Sequence, residues 1–92
     1  MIKSFRHKGL LTFFLTGSKK GVIPSHARKL SMILDRLNTS TGPKDMSAPI
    51  FGLHELIGQR KGTWAVEVNG NWRVTFEFEN ANAINVNYED YH

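Results

Sequence analysis

The 92-residue chain has no cysteine. That excludes a disulfide framework, a thiolate metal site and cysteine nucleophilic chemistry, and it fits a reducing compartment. Histidine is also scarce. The four histidines, His7, His26, His54 and His92, include no close ligand pair, which argues against a structural zinc site. Internal repeats and low-complexity segments are missing. The Gly-Ser-Lys-Lys-Gly run at residues 17–21 lacks the preceding strand and the glycine spacing of a phosphate loop. A signal peptide is imitated by Lys3, Arg6, His7 and Lys8 ahead of an apolar stretch at residues 10–15. That stretch is short, is interrupted by Thr12 and has no small-residue cleavage site, so it is expected to be a helix in a cytoplasmic protein that does not engage a membrane.

What is present suffices for one domain, residues 1–92, with a single modest core and room for one site. Hydrophobic residues make up 40% and aromatics 11%, with two Trp and six Phe to fill a small interior. The net charge of +4 is unevenly placed. Residues 1–46 hold nine basic and two acidic side chains, a net +7, whereas residues 47–92 hold three and six, a net −3. The basic half can face a polyanion or be the solvated side of two helices.

Taken in order, residues 1–5 fit an edge or first strand. Leu10, Leu11, Phe13, Phe14 and Leu15 fit a short helix over residues 7–16 that Gly17 and Gly21 end or break. Pro24 and Ser25 open a second helix, with the serine able to cap exposed amides. There Ala27, Leu30, Ile33, Leu34 and Leu37 recur at helical spacing, opposite Arg28, Lys29, Asp35 and Arg36. Residues 38–49, rich in Gly, Pro, Ser and Thr, connect this helical half to a strand half.

Three strands follow from strict alternation: Trp64, Val66, Val68; Trp72, Val74, Phe76, Phe78; and Ile84, Val86, Tyr88. Their partners in alternation are mostly polar, so one face is core and the other polar. A two-residue turn at Asn69-Gly70 would set apolar rows against polar ones. A three-residue loop at Asn69, Gly70 and Asn71 pairs Val68 with Trp72, Val66 with Val74 and Trp64 with Phe76, and a bulge is the other way to restore the faces. In the second hairpin, Phe78 opposite Ile84 carries forward to Val74 with Tyr88, Trp72 with Asp90 and Arg73 with Glu89, bringing Tyr91 to a diagonal position near Arg73.

The closing Asp90-Tyr91-His92 offers a carboxylate, a phenol and an imidazole in succession, and Arg73 adds a cation from the neighbouring strand. Metal-free cleavage of an RNA phosphodiester needs a base for the 2′-hydroxyl, a cation for phosphate charge and an acid for the 5′-oxygen. Histidine suits either proton role because its reference pKa is about 6.5. A solvated strand end is the bland reading of the same residues. His54, between Leu53 and Leu56, is on residue grounds alone a structural histidine. His7 and His26 read as surface or helix-face residues, and Trp64 and Trp72 as core.

Three separated segments carry a family resemblance: Leu53-His54-Glu55-Leu56 with Gly58 and Gly62-Thr63-Trp64; Gly70-Asn71-Trp72-Arg73-Val74-Thr75-Phe76; and Asn87-Tyr88-Glu89-Asp90-Tyr91-His92. Together they resemble the HigB toxins of the RelE/ParE superfamily, in the same order and along essentially the whole chain. The resemblance implies an α+β fold of β-α-α-β-β-β order, with two N-terminal helices packed on a mainly antiparallel sheet, as in microbial ribonucleases. It implies a toxin that enters the 30S A site of the ribosome and cuts mRNA without a cofactor. It further implies a HigA-like helix-turn-helix antitoxin and, through that complex, contact with operator DNA. The resemblance places catalytic roles on His54, Asp90, Tyr91 and His92, with Arg73 near the scissile phosphate. Arg60, Lys61, Lys19 and Lys20 are the expected RNA or ribosome contacts. One position departs from the pattern: Ile57 stands where such toxins often carry lysine, and the expectation is either that Arg60 or Lys61 substitutes from the following turn or that catalysis leans more on Arg73. The competing functions are a ParE-like gyrase poison and an attenuated toxin acting mainly as an antitoxin partner.

Overall fold

The computed structural model describes residues 1–91. Helix α1 (Lys8–Thr16) begins where the His7 imidazole accepts the Leu10 N–H at 2.9 Å, and it ends at Gly17, whose φ of +80° closes the last turn through a bond to the Phe13 carbonyl. His7 is thus a cap rather than a surface residue. The second helix enters through a 3-10 turn, Pro24–His26, that runs into α2 (Ala27–Thr39). No side chain caps this entrance, so the capping role expected of Ser25 is not realised.

The sheet has four antiparallel strands in the order β1 (His54–Glu55), β2 (Trp64–Asn69), β3 (Trp72–Glu79) and β4 (Asn82–Asp90). The N-terminal segment runs parallel to the outer edge of β4. Bridges at Ile2 with Ala83 and Phe5 with Val86 satisfy edge amides there, but they are isolated and make no full strand. Order and layers agree with the expected α+β arrangement, with the two-residue β1 as an addition.

The helices cover one sheet face. Leu10, Leu30, Ile33, Leu37, Met46, Val66, Val74, Phe76 and Val86 are fully enclosed between the layers. Met46 comes from the connector, which closes over the core rather than trailing through solvent. His26 is buried too, contrary to the sequence reading. Its Nδ1 lies 2.6 Å from the Tyr88 hydroxyl, which also accepts the Ile23 N–H at 3.4 Å. One hydroxyl thus serves the Ile23 amide and the His26 ring together, the direction of the second bond following the imidazole tautomer. Burial holds the Tyr88 phenol above its ordinary pKa.

Both hairpins depart in part from the expected pairing. In the first, Asn69 pairs with Trp72 and a bulge between Glu67 and Asn69 restores the faces, replacing the three-residue loop; Val66 with Val74 and Trp64 with Phe76 stand as expected. In the second, Trp72 with Asp90, Arg73 with Glu89 and Val74 with Tyr88 also stand. Beyond Thr75 the register shifts, and Phe78 faces Ala83 instead of Ile84. The reason is backbone conformation: Asn85 has a φ of +53°, forming a bulge, and the turn uses Asn80 and Ala81 at +51° and +67°.

Candidate active site

Pairing register decides which side chains meet on the open face. Residues directly opposite in antiparallel strands share a face, and His54 pairs with Ala65, Ala65 with Thr75, Thr75 with Asn87 and Arg73 with Glu89. His54, Arg73 and Glu89 therefore project on the side away from the helices, as Tyr91 does by continued alternation. His54, Arg73 and Tyr91 border a cleft of about 650 Å³ that is also lined by Ile57, Arg60 and Asn71 among others.

One wall is the loop between β1 and β2, which is braced at both ends. Leu56 N–H bonds to the Thr63 carbonyl at 2.9 Å, Thr63 N–H to the Arg60 carbonyl at 2.9 Å, and Gly62 N–H to the Glu55 carboxylate at 2.9 Å. The bracing points Arg60 back across the sheet, where its guanidinium donates twice to Glu89, at 2.9 and 2.7 Å. Glu89 also accepts from Arg73 Nη2 at 3.4 Å, from Thr75 Oγ1 at 2.5 Å and from Asn87 Nδ2 at 3.4 Å. The Arg60 hydrogen bonds foremost, then that of Thr75 and the charges of both arginines, hold the Glu89 carboxyl at about 2, outweighing the opposing effect of burial. The same pairing raises Arg60. Under this bridge the middle of the supposedly polar face is dry, with Ala65 and Thr75 buried.

Arg73 is mostly enclosed and lies under the Tyr91 ring, its Cζ 4.3 Å from the centroid. Tyr91 is itself anchored by its N–H to the Asn71 carbonyl at 2.7 Å, while its side chain stays exposed. Among the described residues, the buried Arg73 Nε has no hydrogen-bond partner. Across the cleft, His54 is exposed and its Nδ1 lies 3.0 Å from the Gly52 carbonyl. A carbonyl can only accept, so Nδ1 carries the hydrogen and the neutral ring keeps its lone pair on Nε2. Gly52 adopts a φ of +57° to present that carbonyl, and an added Cβ would crowd the Glu67 carboxylate.

The expected site residues are thus partly assembled. His54, Arg60, Arg73 and Tyr91 line the cleft. Asp90 pairs with Trp72, in the row of Tyr88, and is not among the lining residues. His92 lies outside the described residues. Lys61 borders a second groove, and Lys19 and Lys20 are exposed beyond α1, away from both. The sequence reading assigned no role to Glu89, although the register had placed it against Arg73; Trp72, read as core, does pack against the core while half-buried, and it also borders the cleft. Asn71 and Glu67 were missed as lining residues; the turn at Asn69-Gly70-Asn71 and the family segment that begins at Gly70 were the signals for the former.

Among the described residues, no helix is long and apolar enough to cross a membrane. The family model for the RelE-like toxin HigB of type II toxin-antitoxin systems matches residues 3–92. The chain is 42% identical over 92 residues to a protein named endoribonuclease HigB from Proteus vulgaris, covering all of both chains. With fold, cleft and full-length similarity in agreement, the chain belongs to the HigB family of RelE-like toxins, whose members act in type II systems opposite an antitoxin.

Proposed function

We propose that the protein is an mRNA endoribonuclease that acts in the ribosomal A site and arrests translation. The observation that carries this reading is the arrangement of His54, with its free Nε2, in one cleft with the Arg73 guanidinium and the Tyr91 phenol. Full-length similarity to a named endoribonuclease supports it.

In the reaction, His54 Nε2 takes the proton of a 2′-hydroxyl and the 2′-oxygen attacks the adjacent phosphorus. The new 2′-O–P bond forms as the P–O5′ bond breaks, leaving a 2′,3′-cyclic phosphate and a 5′-hydroxyl. Arg73 stabilises the charge that builds on the phosphate oxygens, with Arg60 at the opposite lip. The leaving 5′-oxygen receives its proton from the chain end, where Tyr91 borders the cleft and His92 follows it in sequence. Asp90 supports that end of the site electrostatically. Every part is a protein side chain, so the scheme uses no metal and no cofactor. A HigA-like helix-turn-helix antitoxin neutralises the toxin, and the pair binds operator DNA through the antitoxin.

Primer extension on cellular transcripts after brief induction tests the proposal. Cuts inside translated regions, in register with codons, are expected from the wild type. They are expected to fall by about 10²–10⁴-fold for His54→Ala, the range for losing a general acid or base, at an unchanged melting temperature because His54 is exposed. Uncut transcripts with the wild-type protein defeat it. Impaired DNA supercoiling in the same cells would favour a gyrase poison instead.

A further inference from the structure

The open sheet face holds a second groove, of about 270 Å³, lined by Arg6, Arg60, Lys61, Glu77, Asn85 and Asn87 among others. Arg60 borders both grooves, and its bridge to Glu89 is the divide between them. The register shows that the two lie along the same strands. Arg73, Thr75 and Glu77 follow one another on one face of β3, so the centres of the grooves are separated by about four residues, or ~13 Å along the strand. A single-stranded nucleic acid in the first groove that continues along the strands must cross the Arg60 bridge and enter the second.

The chemistry of the second groove suits a ribonucleotide. Arg6 is carried there by the N-terminal segment, whose Arg6 N–H bonds to the Val86 carbonyl at 2.8 Å; Lys61 closes the opposite side on the braced loop. Both side chains are exposed, and neither forms an ion pair among the described residues. The two asparagines are oriented from behind: Asn85 Nδ2 donates to Glu77 at 3.2 Å and Asn87 Nδ2 to Glu89 at 3.4 Å. Each amide has one N–H engaged, so these side chains offer a ligand the carbonyl oxygen, an acceptor, and the second N–H, a donor. A ribose 2′-hydroxyl and a base amino group are the matching donors, and a backbone phosphate matches the two cations.

We propose that this groove is a subsite for a nucleotide flanking the scissile bond of the substrate RNA, with Arg6 and Lys61 on the phosphate and Asn85 and Asn87 on the ribose and base. The proposal rests on the RNA-cleavage reading of the first groove, but its test does not depend on cleavage. The isotope-labelled protein is titrated with a trinucleotide and with an RNA of about eight residues, long enough to track both grooves, while side-chain amide signals are followed by NMR. The longer RNA is expected to move the Asn85 and Asn87 amide signals and the trinucleotide to move only those of the first groove, such as Asn71. A DNA of the longer length is expected to move the Asn85 and Asn87 signals less. Arg6→Ala is expected to weaken the longer RNA about tenfold and to lower the salt slope by about one phosphate contact.

Static Asn85 and Asn87 signals with the longer RNA, or an Arg6→Ala variant with wild-type affinity and salt slope, overturn the subsite. The two proposals fail separately. Amide shifts in both grooves without any cellular mRNA cuts leave the subsite and remove the nuclease, whereas cuts without shifts at Asn85 and Asn87 do the reverse.

Discussion

Replacing Glu89 by glutamine keeps the side-chain shape and removes the charge that two arginines share. The carboxyl sits at about 2 against an ordinary value of 4.5. That difference is equivalent to a ceiling of about 3 kcal/mol of folding stability at neutral pH, at about 1.4 kcal/mol per unit. Arg60, the stronger partner, is 45% exposed along its side chain, so solvent screening lowers the figure to about 2 kcal/mol. For a domain of this size that corresponds to a fall in melting temperature of roughly 8–16 °C.

The sign of the pH dependence is fixed by the direction of the shift. A carboxyl with a lowered folded-state value stabilises the fold fully above its unfolded value, and that stabilisation is lost as pH falls from 4.5 through about 2. Urea unfolding followed by Trp64 and Trp72 fluorescence, for wild type and Glu89→Gln side by side, measures it. The other carboxyls titrate in both proteins, so the difference isolates Glu89. It is expected to be largest and flat from pH 5 to 7, to be more than half gone near pH 3, and to shrink with added salt. A difference that stays constant down to pH 2, or one below about 0.5 kcal/mol at pH 7, refutes the role assigned to the bridge.

Two further substitutions probe parts of the molecule that do not depend on that bridge. Tyr88→Phe removes the hydroxyl that serves both His26 and the Ile23 amide, and is expected to cost about 1–3 kcal/mol in chemical denaturation because it leaves buried polar groups unpaired. Ile57→Lys adds a cation at the cleft lip on a residue that is 91% exposed. It is expected to leave the melting temperature within a degree or two, to tighten single-stranded RNA binding at low salt and to steepen the salt slope by about one; an unchanged slope means that RNA does not pass that lip.

The rows around Arg73 could be read from the sequence because each face there repeats with period two and the bulge after Glu67 restores the phase before the site is reached. The far end of the second hairpin could not be read. Its turn places Asn80 and Ala81 in left-handed conformations, and nothing in an Asn-Ala pair announces that as a glycine would. His26 was misjudged because its burial depends on a phenol 62 positions away. Arg60 and Glu89 are 29 positions apart, and only the folding back of the braced loop joins them, so no local pattern could have shown that Arg60 would close on the Glu89 carboxylate that the register had set against Arg73.

That carboxylate changes how the charge of the cleft is counted. Arg60 was one residue expected to replace the lysine missing at Ile57, but it spends both donor arms on a carboxylate that stays ionised at any working pH. Arg73 is bonded to the same group only at 3.4 Å and keeps its face against Tyr91. The positive potential available to an incoming phosphate is therefore centred on Arg73, and Arg60 acts chiefly by neutralising and fixing Glu89. Loss of Arg73 consequently removes the cation least committed to Glu89, whereas loss of Arg60 uncovers a mostly buried negative charge beside it. Both weaken phosphate binding for opposite reasons, and removing Glu89 together with Arg60 should recover part of what removing Arg60 alone costs.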